Sequence, residues 1–162
     1  MQFFKLTVLS SAVLALTLGL TSCEKDAERK KVTEYAKSGI LMSGAQETPA
    51  TPSAAQGNLD VFYSKATRVL NYKFSWAGLA DTIVGIHIHG LAPSGFAAAI
   101  VQNILTTRNE AVFPFRGGSY SGTMQVDGVK IKEEDLLNAL FYVNIHTKPY
   151  PAGEIRGQVR FQ

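Results

Sequence analysis

Short runs of this chain alternate apolar and polar residues with a period of two, and that periodicity most narrows the folds open to it. Residues 69–76 (V-L-N-Y-K-F-S-W) put Leu70, Tyr72, Phe74 and Trp76 on one side and Asn71, Lys73 and Ser75 on the other. Side chains alternate across a strand, so such a run reads as a half-buried strand. Residues 57–63, 83–89, 120–126, 141–146 and 154–161 repeat the pattern, with Gly, Pro, Asn and Ser between them. Short alternating strands with turn residues between them predict an all-β fold, an antiparallel Greek-key-like β-sandwich. One short helix is expected at 132–140 (K-E-E-D-L-L-N-A-L), whose acidic residues sit in the first turn, where the helix dipole favours them. Residues 91–118 are less regular and are expected to cover one end of the sandwich.

The N-terminus has a different character. A short basic start is followed by an apolar run at 6–20, too short to span a bilayer comfortably and placed where the apolar core of a signal peptide belongs. Leu20-Thr21-Ser22-Cys23 then resembles a bacterial lipobox, with the chain's one cysteine at the position to be cleaved and lipidated. The expected organisation is a lipoprotein signal peptide at 1–22, a charged tether at 23–37 and a domain at 38–162. Acyl chains contribute about 0.8 kcal/mol per buried methylene, so several on Cys23 anchor the chain to a membrane durably. The implied location is the bacterial cell envelope, as an outer-membrane lipoprotein that is periplasmic or surface-exposed. Glu24-Lys25-Asp26, directly after the cysteine, resembles the surface-export signals of some Gram-negative lipoproteins; a plain solvated tether is the alternative.

With Cys23 lipidated, no thiol is left to cross-link the domain, which must rely on its core or on a core plus metal. The chain carries 16 Lys and Arg against 13 Asp and Glu, scattered rather than gathered into a stripe, so no nucleic-acid partner is indicated.

Parity gives meaning to the three histidines. In V-G-I-H-I-H (84–89), Val84, Ile86 and Ile88 share one face while His87 and His89 share the other. In F-Y-V-N-I-H (141–146), Tyr142, Asn144 and His146 lie opposite Phe141, Val143 and Ile145. In E-I-R-G-Q-V (154–159), Glu154, Arg156 and Gln158 form the polar side. Every histidine thus lies on the face of its strand away from the core. Two histidines at i and i+2 project the same way from α-carbons about 7 Å apart, a natural bidentate pair. A third from a neighbouring strand completes a three-nitrogen site with an open position, and imidazole without thiolate suits copper or zinc. The alternative is a polar face on which the histidines simply hydrogen-bond Asn144, Glu154 or solvent. Gln46-Glu47, ahead of Pro49, reads as a solvated turn rather than a structural cap near the site.

Several of these stretches together resemble a CHRD domain, the module named after chordin and found in many bacterial secreted proteins. They are L-M-S-G-A-Q-E-T-P (41–49), G-N-L (57–59), Y-K-F-S-W-A-G-L (72–79), I-H-I-H-G (86–90), the acidic-leucine helix, Y-V-N-I-H-T (142–147) and G-E-I-R-G-Q (153–158). The resemblance covers residues 38–162 and implies an extracytoplasmic β-sandwich, with no general activity to carry over. A weaker, partial similarity is to the copper-site motifs of copper–zinc superoxide dismutase. By motif, His87 and His89 resemble its paired copper ligands, His146 its late ligand and Arg156 its anion-guiding arginine. No fourth histidine bridges two metals and the zinc loop is absent, so that resemblance leaves only a mononuclear site.

The leading expectation is therefore a lipid-anchored binding module whose His87, His89 and His146 hold one copper or zinc ion, with Arg156, Glu154 and Asn144 around them and no catalytic residues assigned. Two alternatives stand beside it. One is a mononuclear copper redox enzyme served by Arg156. The other is a metal-free structural or adhesive module that engages a protein or glycan partner through the surface at 96–115.

Overall fold

The computed structural model describes residues 32–105 and 116–162, and its strands follow the alternation of the chain. They are β1 (Glu34–Ser43), β2 (Gln56–Ser64), β3 (Val69–Ala77), β4 (Ile83–Gly90), β5 (Ile100–Leu105), β6 (Gly117–Gln125), β7 (Phe141–Thr147) and β8 (Ile155–Gln158), with one helix, α1 (Glu133–Leu137), before β7. All pair antiparallel in a single eight-stranded sheet of order β5-β4-β7-β8-β1-β2-β3-β6. Between β3 and β4 the chain crosses from one end of this order to the other, so the fold is all-β as expected. The sheet curls on itself until its two edges approach: the Gln102 side chain on β5 donates to the Thr123 carbonyl on β6 at 3.0 Å. The result is a nearly closed barrel rather than two separate sheets.

Inside the curl, one apolar cluster joins Leu59, Tyr63, Leu70, Phe74 and Trp76 of one half to Ile86, Ile88, Phe141, Val143, Ile145 and Ile155 of the other. Each fully buried side chain of this kind contributes roughly 1.5–3 kcal/mol. On β2 and β3 the reading by parity holds, with buried and more exposed residues alternating until Ser64 at the end of β2. On β7 and β8 it describes only one face, because every residue of both strands is buried. The face turned from the core is covered by segments 44–53 and 91–99. Thr51 Oγ1 donates to the Glu154 carbonyl at 2.9 Å, and the Gln158 side chain donates to the Ala92 carbonyl at 3.0 Å.

Two strands lacked a clean periodic signal. β1 opens at Glu34, inside the stretch expected as tether, because Tyr35 packs on Tyr63 and Phe161. Its alternation is broken where the register with β2 shifts between Lys37 and Ile40, and Gly39 supplies the left-handed conformation there (φ +68°). β5 lies inside the segment expected as an irregular cover, and its pairing with β4 also shifts register. The helix is shorter than expected. Ala139 turns left-handed (φ 57°), while Ala139 and Leu140 donate back to the Leu136 and Asp135 carbonyls in a Schellman ending. The leader, Cys23 and the Glu24-Lys25-Asp26 motif lie outside the described residues, as do residues 106–115 of the expected partner surface.

Glu154 staples this architecture. Fully buried just before β8, its carboxyl accepts from Thr147 Oγ1 at 2.6 Å, Ser53 Oγ at 2.7 Å and the Ala80 amide at 2.9 Å. Glu154→Ala leaves the buried Thr147 hydroxyl unpaired and frees Ser53 and Ala80, and is expected to cost about 2 kcal/mol in urea unfolding. Lys73→Ala, on the solvent face of β3, should cost less than about 0.5 kcal/mol. Equal losses would show that Glu154 does not carry this role.

Candidate metal centre

Strands β4 and β7 are ladder neighbours, with His87 opposite Asn144 and His89 opposite Tyr142. That register gathers the three histidines. The rings of His87 and His146 lie 4.6 Å apart between centroids, His87 and His89 5.5 Å, and His89 and His146 6.0 Å. One ring nitrogen from each falls within 4.8 Å of the others. His89 and His146 are buried and His87 half-buried.

Hydrogen bonds decide which nitrogens face inward. His89 Nδ1 lies 2.9 Å from the Ala98 carbonyl and His146 Nδ1 lies 3.0 Å from the Pro151 carbonyl. A carbonyl only accepts, so each Nδ1 carries the proton and donates it. Each Nε2 is then left with its lone pair, the tautomer a metal needs, and a backbone acceptor behind a ligand histidine is a common way to orient it. His89 Nε2 is buried with no hydrogen-bond partner. His146 Nε2 faces His87 Nδ1 at 3.0 Å and Asn144 Oδ1 at 2.9 Å. Burial pushes all three imidazoles below their usual range, His87 to about 4 with a further push from His146 and His89. They are neutral near pH 7.

Arg156 does not face an open site. It is 1% exposed, and its guanidinium donates to the carbonyls of Phe96 (2.8 Å) and Pro93 (3.3 Å) and to Gln158 Oε1 (2.7 Å). Its central carbon lies 3.4 Å from the centre of the Tyr142 ring, a cation–π contact. Arg156, expected by motif as an anion guide, is buried, with donors engaged on the 93–96 loop. The Glu154 carboxyl is taken up by Thr147, Ser53 and Ala80. Asn144, by contrast, touches His146 directly.

Two contributors escaped the sequence reading. Tyr142, of the same parity as Asn144 and His146, stacks on His89 at 4.8 Å with planes 3° apart, and its hydroxyl accepts from the Ala98 amide at 3.2 Å. Glu47, expected in a solvated turn, is buried beside Asn144. Burial pushes its carboxyl up to about 7, against the pull of Arg156 and the Asn144 amide. Its turn folds inward because the 3-10 turn Gly44–Gln46 and segment 51–53 are tied to Glu154. Composition alone gave no signal of that tie.

These shifts give the metal-free protein a defined pH dependence. An unfolded histidine takes up a proton near 6.5, whereas folded His87 resists until about 4. Unfolding therefore binds protons, and stability should fall as pH drops from about 6.5 toward 4. Glu47 acts in the opposite sense: its folded value of about 7 exceeds the ordinary 4.5, so its contribution is lost as pH rises between them. Urea midpoints across pH 4 to 7 should climb with pH, and more steeply in Glu47→Gln. A flat profile in both proteins would contradict the burial of these groups.

The family follows from the whole chain. No curated protein and no solved structure matches it. A family model for the CHRD domain matches residues 39–159, from within β1 to just past β8. That span includes every strand pairing that builds the histidine cluster, and the chain belongs to the CHRD domain family.

Proposed function

We propose that this chain is an extracytoplasmic, lipid-anchored CHRD module of the bacterial cell envelope that holds one copper or zinc ion through His87, His89 and His146. The observation that carries the reading is the convergence of three neutral imidazoles with two Nε2 lone pairs pointed inward by backbone carbonyls. A buried, unpartnered nitrogen such as His89 Nε2 is costly unless something binds it. Three nitrogens without thiolate suit Cu(II) or Zn(II) rather than Mg or Ca. Such an ion would serve as captured cargo more than as a staple, because β4 and β7 are already joined along their ladder. Binding is favoured over copper redox turnover because Arg156 is committed to Pro93, Phe96 and Gln158. The lipobox Leu20-Thr21-Ser22-Cys23 supports the membrane anchor, and Glu24-Lys25-Asp26 supports display at the surface.

Calorimetry of metal-free protein with added Cu(II) or Zn(II) tests the site. Free ion at a hundredfold excess over Kd stabilises by about 2.7 kcal/mol, a rise in melting temperature of several degrees. His87→Ala and His146→Ala should lose that rise. An unchanged melting temperature of the wild type at large metal excess would sink the reading. For the anchor, Cys23→Ser should move the protein from the membrane fraction to the soluble one; retention in the membrane would refute lipidation at that residue.

A further inference from the structure

We propose that Asn144 supplies a fourth donor, its Oδ1, to the ion held by the three histidines, and that Glu47 positions the Asn144 amide for that purpose. The inference rests on the metal-binding reading above and adds two residues to it.

Register puts Asn144 at the centre of the cluster. It stands opposite His87 on β4, two residues from His146 on the same face of β7, and diagonal to His89, whose own partner is Tyr142. Directly opposed side chains in such a ladder start about 5 Å apart, and diagonal ones remain within reach of long side chains. Asn144 is itself 2% exposed, so its amide must find its partners inside the protein.

The contact with His146 is then informative. His146 Nδ1 donates to the Pro151 carbonyl, so its Nε2 presents a lone pair. Asn144 Oδ1 lies 2.9 Å from that nitrogen and also presents lone pairs. Two acceptors this close repel unless a proton or a cation lies between them. Turning the amide would put Nδ2 toward His146 and carry Oδ1 to the side where the Glu47 carboxyl lies. Asn144 Nδ2 and the Glu47 carboxyl crowd the same space over Gly153, where a Cβ would meet Glu47 Oε1 and Asn144 Nδ2. Glu47 is fixed in turn by the 3-10 turn before it, its amide donating to the Gly44 carbonyl at 3.1 Å. Glu47 thus acts as a positioning residue: it takes the NH2 end of Asn144 and leaves the oxygen facing the histidines.

Two of the spacings already match an ion, while the three imidazole nitrogens, spread over up to 4.8 Å, would close on it as it binds. Donors around a four-coordinate centre with bonds of about 2.0–2.1 Å sit roughly 3 Å apart. Asn144 Oδ1 and His146 Nε2 are separated by 2.9 Å, and His87 Nδ1 and His146 Nε2 by 3.0 Å. A set of three nitrogens and one amide oxygen suits Cu(II) or Zn(II), and the hard amide oxygen adds little for soft Cu(I).

The test uses Cu(II) as the probe on metal-free full-length protein, with affinity from calorimetric titration, the Cu(II) paramagnetic resonance spectrum and water-proton relaxation. In Asn144→Ala, affinity should fall about tenfold or more, the spectrum should shift, and relaxation should rise as water takes the vacated position. Asn144→Asp, which keeps the shape and offers a stronger oxygen, should keep or tighten binding with a shifted spectrum, and it decides the matter if the alanine variant does not fold. Glu47→Gln, which retains an oxygen for the Asn144 amide, should bind within about threefold of wild type, while Glu47→Leu should lose about tenfold. A wild type that binds neither Cu(II) nor Zn(II) overturns the three-histidine site itself. Binding that is abolished by His87→Ala, yet unchanged in affinity and spectrum by Asn144→Ala and Asn144→Asp, overturns the role of Asn144 alone.

Discussion

Burial of β7 on both faces is the constraint from which the rest of this structure follows. One face, with Phe141, Val143 and Ile145, belongs to the apolar cluster. The other carries Tyr142, Asn144 and His146, all buried, and a polar group taken out of water without a partner costs several kcal/mol. The segments packed over that face therefore meet it with polar backbone as much as with side chains. Ala98 presents its carbonyl to His89 and its amide to Tyr142, Pro151 presents its carbonyl to His146, and Pro93 and Phe96 present theirs to Arg156. Against that nearly complete satisfaction, the unpaired His89 Nε2 and Glu47 Oε1 stand out, and both border the same cluster.

Tyr142 and Arg156 keep this covered face rigid. β7 lies between β4 and β8, so the Tyr142 ring is flanked by His89 from one neighbouring strand and by Arg156 from the other. The stacked imidazole cannot turn without displacing the ring, and the ring is held by the guanidinium and by Ala98. A buried guanidinium needs its donors filled, and the 93–96 carbonyls fill them. The same loop, continuing to Ala98, then fixes the tautomer of His89. The arginine thus acts on the candidate site indirectly, through the loop it secures.

The sequence made the apolar half of this arrangement legible because period two survives wherever one face meets solvent, as on β2 and β3. It also placed His87, His89, Asn144 and His146 on a common side, since parity is a property of the backbone. What parity could not reveal is whether that side is wet or dry. Coverage of β7 and β8 comes from segments 44–53 and 91–99, distant in sequence and without periodicity of their own. For that reason Arg156 read as an anion guide and Glu47 as a solvated turn residue, although each is buried by chain that packs over it. β1 was hidden for a local reason, its charged start and the register shift at Gly39. Tyr142 was visible by parity, but nothing in an alternating run distinguishes a ring that supports a histidine from one that fills space.

Burial also separates the three imidazoles by task. His89 and His146 are each locked from behind by a backbone carbonyl and are nearly inaccessible, at 8% and 7% exposed. His87 is the half-buried member, and its Nδ1 rests against His146 rather than against a carbonyl. On the proposed reading, an ion arriving from solvent would meet His87 first, and His87 Nδ1, now against His146, would be the nitrogen free to move onto it. His89 and His146, each held from behind by a carbonyl, would lose little ordering entropy on binding. On the proposed reading, fixed ligands inside and one more accessible ligand outside would let the site load from solvent and hold what it loads. An open catalytic centre would instead leave a coordination position and a charged guide facing outward. Here Arg156 is spent on closing the loop above the site.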